Sequence, residues 1–133
     1  MRCFIYRNLN RRGYVYSLKA LEGSYKGRVV AYASKIFMTD VEFVVGQKGH
    51  ARALRDMHRN VHAGIVGKVN TIYNCIHRLP HKIDECDFEM VHTGVPITYN
   101  PWKYDSFVTR SDLKPIFKAR HAQIDGRDVE ALL

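Results

Sequence analysis

No apolar run in this chain approaches the roughly 20 residues that a bilayer-spanning helix requires, so no membrane role is expected. The opening MRCFIYRNLN carries an arginine but neither a long apolar centre nor a small-residue cleavage site, which argues against a secretory signal. Cysteine is scarce. Cys3, Cys75 and Cys86 are odd in number and irregular in spacing, which disfavours a disulfide framework and points to a reducing, cytoplasmic setting. No internal repeat, low-complexity segment or linker divides the chain, and its 133 residues fit a single compact basic domain, 1–133. The most consequential shortage is of acidic residues. Asp and Glu number 13 against 21 Lys and Arg, a net charge of +8. A field of one sign on so small a domain favours a polyanionic partner such as nucleic acid or an acidic protein surface.

What is present is enough for a core. Hydrophobic residues make up 46% of the chain, and a chain of this size buries roughly two thirds of its unfolded surface without metal or disulfide staples. The first third reads as strands separated by turns. RCFIYRN alternates its side chains, NLNRRG supplies a turn with Gly13, YVYSLKAL is aromatic and β-branched, and EGSYKG is a second turn. GRVVAYA and KIFMTDVEFVV then read as two further strands, the second interrupted near Thr39–Asp40.

The texture changes between Gly46 and Asn60, which contain no β-branched residue. A short helix from Gly49 to Asn60 is predicted, with Asn60 as its C-terminal cap. VHAGIVGKVNTIYNCIH returns to strand chemistry, with bends or bulges expected at Gly64 and Gly67. Pro80 excludes a helix interior in the acidic stretch around Asp84–Glu89, and KPIFKARHAQIDGRDVEAL reads as a strand, a tight turn at Asp125–Gly126 and a final short element. The expected class is α+β: a mainly antiparallel β sheet or small barrel with one principal short helix.

The helical segment concentrates the positive charge. Arg52, Arg55, Arg59 and His62 follow at i, i+3, i+7 and i+10, one face of a helix long enough to hold them all, with Lys48 and His50 just before. Guanidinium groups present forked donors that suit phosphate. Lys48, Arg52, Arg55, Arg59 and His62 are therefore the candidate nucleic-acid-binding residues. Leu54, Met57 and Val61 form a neighbouring stripe that would face the core. The ordinary alternative is a solvated helix face in which Arg52 and Asp56 form an i,i+4 pair.

Three other groupings carry chemistry less specifically. Cys75, His77, His81 and Cys86 are all zinc-ligand types, but no Cys-x-x-Cys pair is present, and no metal or other cofactor is expected. His58 and His62, spaced i,i+4, would serve as metal ligands or share acid and base duties in metal-independent RNA cleavage with Arg59 on the phosphorane, but no catalytic signature surrounds them. Tyr99, Trp102, Tyr104 and Phe107 surround Lys103; such rings either stack bases or pack a loop onto the core, and the Asn100–Pro101 turn favours the second.

The strings RNVHAGIVG and YNPWKYDSFV resemble segments of uncharacterised small proteins encoded by bacteriophages and plasmids. The resemblance implies expression in a bacterial host cell from a mobile element. It supplies no catalytic residues. The function expected is nucleic-acid binding, to DNA or RNA, by a phage or mobile-element accessory protein. Inhibition of a host defence or transcription protein is the alternative, and a small metal-independent nuclease the second.

Overall fold

A computed structural model describes residues 1–9 and 15–133. The turn expected at Gly13 lies outside the described residues. The elements run β1 (Arg2–Arg7), β2 (Tyr16–Ala20), β3 (Val29–Val45), α1 (Gln47–Asp56), β4 (Ala63–His77), β5 (Asp84–Glu85), β6 (Val95–Thr98), β7 (Val108–Thr109), β8 (Lys118–Asp125) and β9 (Asp128–Leu132). The architecture is the expected α+β class, one 9-stranded sheet with one short helix.

The frame is the β3–β4 pair. The two strands run antiparallel from Ala31–His77 to Val45–Ala63. β1 adds to the other edge of β4 at Val66–Phe4 and neighbouring pairs. β2 then joins β1 to the first part of β3. The hydrogen bonding therefore runs β1–β2–β3–β4 and returns to β1, a small closed circuit. Beyond β2, the same strand β3 pairs with β8 from Lys35 to Glu42, and the sheet continues through β9 and β6 to β7. β5 is the parallel exception, set against Thr71 and Ile72 of β4.

The two strands expected between Arg28 and Val45 are one continuous strand, and the interruption expected near Thr39–Asp40 is a bulge within it. Asp40 has φ 51°, and the β3–β4 register shifts between Thr39 and Glu42. An inserted residue reverses which side chains face inward. Ile36 and Met38 are buried before it, Val41 and Phe43 after it. The interruption seen at Thr39–Asp40 is thus a change of phase that keeps the strand continuous.

Leu18, Ile36, Met38, Ile72 and Ile124 are fully buried in one hydrophobic cluster. Burial of each such side chain contributes about 1.5–3 kcal/mol. Gly64 and Gly67 serve close packing. A Cβ on Gly67 would lie 2.9 Å from the Thr39 carbonyl oxygen, against the bulge, and one on Gly64 would lie 2.5 Å from the Ile5 carbonyl oxygen and 2.5 Å from the Phe4 ring. At the other end of the sheet, Gly126 takes φ 59° in the turn that pairs Asp125 with Asp128, as the Asp-Gly signal predicts. Among the described residues, no helix is long and apolar enough to cross a membrane.

The helix is shorter at its C-terminal end than expected. Met57 turns into the left-handed region at φ 52°, and its N–H donates to the Ala53 carbonyl. Asn60, the expected cap, instead donates from Nδ2 to the Gly49 carbonyl at 3.3 Å. The segment after the helix thus folds back onto its first turn. Its buried residues are His50 and Ala53. Leu54, Met57 and Val61, expected to face the core, are exposed. Asp56 is paired with its neighbour Arg55 at 3.1 Å, in place of the expected pair with Arg52.

Gly64→Ala is expected to destabilise the protein by about 1–3 kcal/mol, the usual range for overpacking, because backbone as well as a ring blocks the added methyl. Urea denaturation measures this. An unchanged midpoint and slope would show that β1 and β4 are not packed this closely.

Candidate functional site

The fold divides the predicted basic face. Lys48, Arg52 and Arg55 stay on the exposed surface of α1. Arg59 and His62 lie beyond its end, so the expected single helical face does not form. They line a cavity of about 470 Å³ between β1, the start of β4, Ala53 of α1 and the segment from Ile97 to Phe107. Arg7 and Arg127, from β1 and the β8–β9 turn, line it as well. Among the described residues no ion pair engages Arg7, Arg59 or Arg127. Three arginines therefore line one concavity without a direct ion-pair partner among the described residues.

The wall opposite is aromatic. Tyr99 and Phe107 pack with tilted rings at 5.1 Å between centroids, and Phe107 continues to Phe43 at 5.5 Å. These two rings pack inward, as the Asn100–Pro101 turn predicts; Asn100 Oδ1 accepts the Trp102 N–H at 2.9 Å to close that turn. Trp102 remains 45% exposed while lining the cavity. One ring of the cluster is thus left free to meet a ligand.

His62 joins the basic and aromatic sides. Its Nδ1 faces two acceptors, the Asn60 carbonyl at 3.2 Å and Asn60 Oδ1 at 2.9 Å. Nδ1 must then carry the proton, which leaves Nε2 to accept the Tyr99 hydroxyl proton at 2.7 Å. His50 stacks on the same imidazole at 5.3 Å and donates from Nε2 to the Pro101 carbonyl at 2.7 Å. Burial, opposed by the Asn60 carbonyl, holds His62 below its usual pKa. Burial pushes the Tyr99 phenol up to about 12, with Asp105 adding to the rise. The pair is a neutral imidazole and a neutral phenol at physiological pH, suited to hydrogen bonding rather than to carrying charge.

This places His50 differently from the sequence expectation. It is buried behind His62, against which it stacks, and is not part of the exposed basic patch. The pairing of His58 with His62 on one helical face is not realised either, because the helix stops at Asp56 and His58 is exposed. The ring partners of His62 are His50 and Tyr99, and only the fold brings those three together.

A second cluster occupies the far end of β4. The Cys75 Sγ lies 3.6 Å from His77 Nε2, which also meets Glu85 Oε2 at 2.7 Å. His77 Nδ1 lies 2.6 Å from His81 Nε2, and the Ile83 N–H donates to His81 Nδ1 at 3.2 Å. Of the four ligand types noted in the sequence, three converge. Cys86 is exposed, and Glu85, which the sequence offered only as part of an acidic run, takes the place expected of it.

Because the His62 pKa is lowered in the folded state, the unfolded chain binds its proton more readily. Its contribution to stability is full above the ordinary value of 6.5 and is lost as pH falls through the lowered one. His62 is expected to titrate below 6.5 by NMR, and Tyr99→Phe to alter that midpoint while leaving the chain folded. A His62 midpoint at or above the ordinary value would exclude the buried neutral tautomer.

No solved structure matches the chain. The Gene 82 protein of Mycobacterium phage L5 is 33% identical over 135 residues, covering 98% of this chain and 95% of the phage protein. The family model described as Mycobacterium phage L5 gene 82 protein matches residues 1–132. The phage resemblance carried by RNVHAGIVG and YNPWKYDSFV holds along the whole chain, which belongs to the family of the Mycobacterium phage L5 gene 82 protein.

Proposed function

We propose that this phage-family protein is a nucleic-acid-binding accessory protein that takes single-stranded DNA or RNA across the His62 cavity in the cytoplasm of the bacterial host. The observation that carries the reading is the cavity itself: Arg7, Arg59 and Arg127 around one concavity, with Trp102 exposed on its wall, in a chain of net charge +8. Arginine forks suit phosphate oxygens, and an exposed indole offers a stacking face to any base. A concave site of this kind receives an unstacked base, which a single strand supplies at lower cost than a duplex. Lys48, Arg52 and Arg55 on the adjoining surface of α1 extend the path for the phosphate backbone. His62 and Tyr99 hold the wall in place, and His62 adds hydrogen bonding.

A second reading, docking on a host protein, is favoured by a different feature. Leu54, Trp102 and Leu113 are exposed and line one shallow depression beside α1. Capture from bacterial lysate with and without nuclease treatment separates the two readings. Partners lost on nuclease treatment support the first, and a partner retained supports the second.

Binding to single strands should weaken with salt, and each lost phosphate contact should flatten the slope of log K against log salt by about 0.7. Arg7→Ala and Arg59→Ala are expected to do so additively. Trp102→Ala should cost roughly 1–3 kcal/mol of affinity, the usual worth of one base–aromatic stack. Fluorescence anisotropy with labelled oligonucleotides measures both. Folded variants that keep the wild-type slope and affinity would remove the cavity from the binding surface.

A further inference from the structure

The Cys75–His77–Glu85 cluster lies at the opposite end of β4 from the cavity and plays no part in the function proposed there. Its donor atoms are a thiol sulfur, an imidazole nitrogen and a carboxylate oxygen, all within 4.8 Å of one another. We propose that Cys75 Sγ, His77 Nε2 and Glu85 Oε2 bind one zinc(II) ion, with water in the fourth position and His81 orienting His77 from behind.

The geometry supports this in three ways. First, zinc takes thiolate at about 2.3 Å and imidazole at about 2.0 Å in a tetrahedron, which sets the two ligand atoms about 3.5 Å apart. Cys75 Sγ and His77 Nε2 are 3.6 Å apart. The carboxylate, at 2.7 Å from His77 Nε2, is nearer than a shared ion allows. It sits at the end of a flexible, half-exposed side chain that can withdraw by the roughly 0.6 Å required. Second, the chain is built to hold Glu85 in this place. Ile83 is buried two residues before it, and Asp87 is tied two residues after it to Lys35 at 3.0 Å, with the Phe88 carbonyl on the same ammonium. The Cys86 N–H donates to the Ile72 carbonyl at 3.2 Å. A two-residue strand is thus pinned on both sides so that its glutamate faces Cys75 and His77 on β4. Third, Glu85 belongs to an acidic stretch of sequence, with Asp84, Asp87 and Glu89, in an otherwise basic chain.

His81 supplies the backing that metal-bound histidines ordinarily have. Without metal, the Ile83 N–H donates to His81 Nδ1, His81 Nε2–H to His77 Nδ1, and His77 Nε2–H to Glu85. When zinc takes His77 Nε2, both imidazole protons move from Nε2 to Nδ1. His77 then donates to His81, and the Ile83 N–H gives up its acceptor to solvent. The thiol proton is released and the thiolate bonds the metal, so binding liberates one proton. The sulfur and nitrogen donors select zinc over magnesium and calcium, which require oxygen. No metal is expected from the sequence, where no Cys-x-x-Cys pair is present; the proposal rests instead on the position of Glu85 beside Cys75 and His77.

Cobalt(II) reports such a site directly. Purified apo-protein titrated with cobalt is expected to bind one ion per chain, with strong near-ultraviolet thiolate-to-cobalt absorption and visible bands of four-coordinate intensity. Zinc should displace it. Cys75→Ser should abolish the thiolate band, and Cys86→Ser should leave it intact. Glu85→Gln and His77→Gln, on exposed side chains, should weaken zinc binding at least ~10-fold, and His81→Phe ~10–100-fold, the usual cost of removing a partner behind a ligand. Circular dichroism confirms folding of each variant. The site is overturned by a wild type without the thiolate band, by a band that survives Cys75→Ser or disappears in Cys86→Ser, or by a folded Glu85→Gln variant that binds zinc as tightly as the wild type.

Discussion

The antiparallel pairing of β3 with β4 is the constraint on which the rest of this structure depends. Every other strand attaches to this ribbon or to a strand already on it. Because β1 and β2 bridge from one member of the pair to the other, the sheet closes on one side, while β8, β9, β6 and β7 extend it on the other. The bulge at Asp40 lies in the stretch of β3 that pairs with β4 on one edge and β8 on the other. It switches the inward face of β3 partway along, so that Ile36 and Met38 on one side and Val41 and Phe43 on the other reach the same core. Gly67 lies against this bulge, where a larger residue would meet the Thr39 carbonyl.

The two ends of β4 carry different chemistry for the same structural reason. At its start, His62 is held between Asn60 and Tyr99 and stacked on His50. Arg7, Arg59 and Arg127 line the cavity at that end. At its finish, Cys75 and His77 lie two residues apart on the strand, and β5 brings Glu85 to them. The cavity at one end is lined by three arginines, and the cluster at the other holds a thiol, an imidazole and a carboxylate.

The hydrogen-bond pattern at His62 also bears on catalysis. Its Nε2 is already occupied by the Tyr99 hydroxyl, and the phenol is held protonated by burial. An imidazole in this state positions its neighbours. To act as a base toward a ligand it would first have to release the phenol.

The sequence by itself determined the α+β class, the positions of most strands, the turns at Gly23–Gly27 and Asp125–Gly126, and the excess of positive charge. Alternation of apolar residues, turn chemistry and composition are local properties, legible wherever a few neighbouring residues decide the outcome. The tertiary structure alone decided that β3 is continuous, since a bulge and a strand break look alike without the partner strand. It also decided where α1 ends: residues 57–60 have helical composition, but the contact of Asn60 with the Gly49 carbonyl turns the chain back. Both sites depend on partners distant in sequence. Tyr99 reaches His62 across 37 residues, and Arg7 and Arg127 come from opposite ends of the chain. Glu85 is closer to His77, yet only the parallel pairing of β5 with β4 distinguishes it from the acidic residues around it. No local pattern encodes these meetings, because they arise from the closure of the sheet and not from the conformation of any one segment.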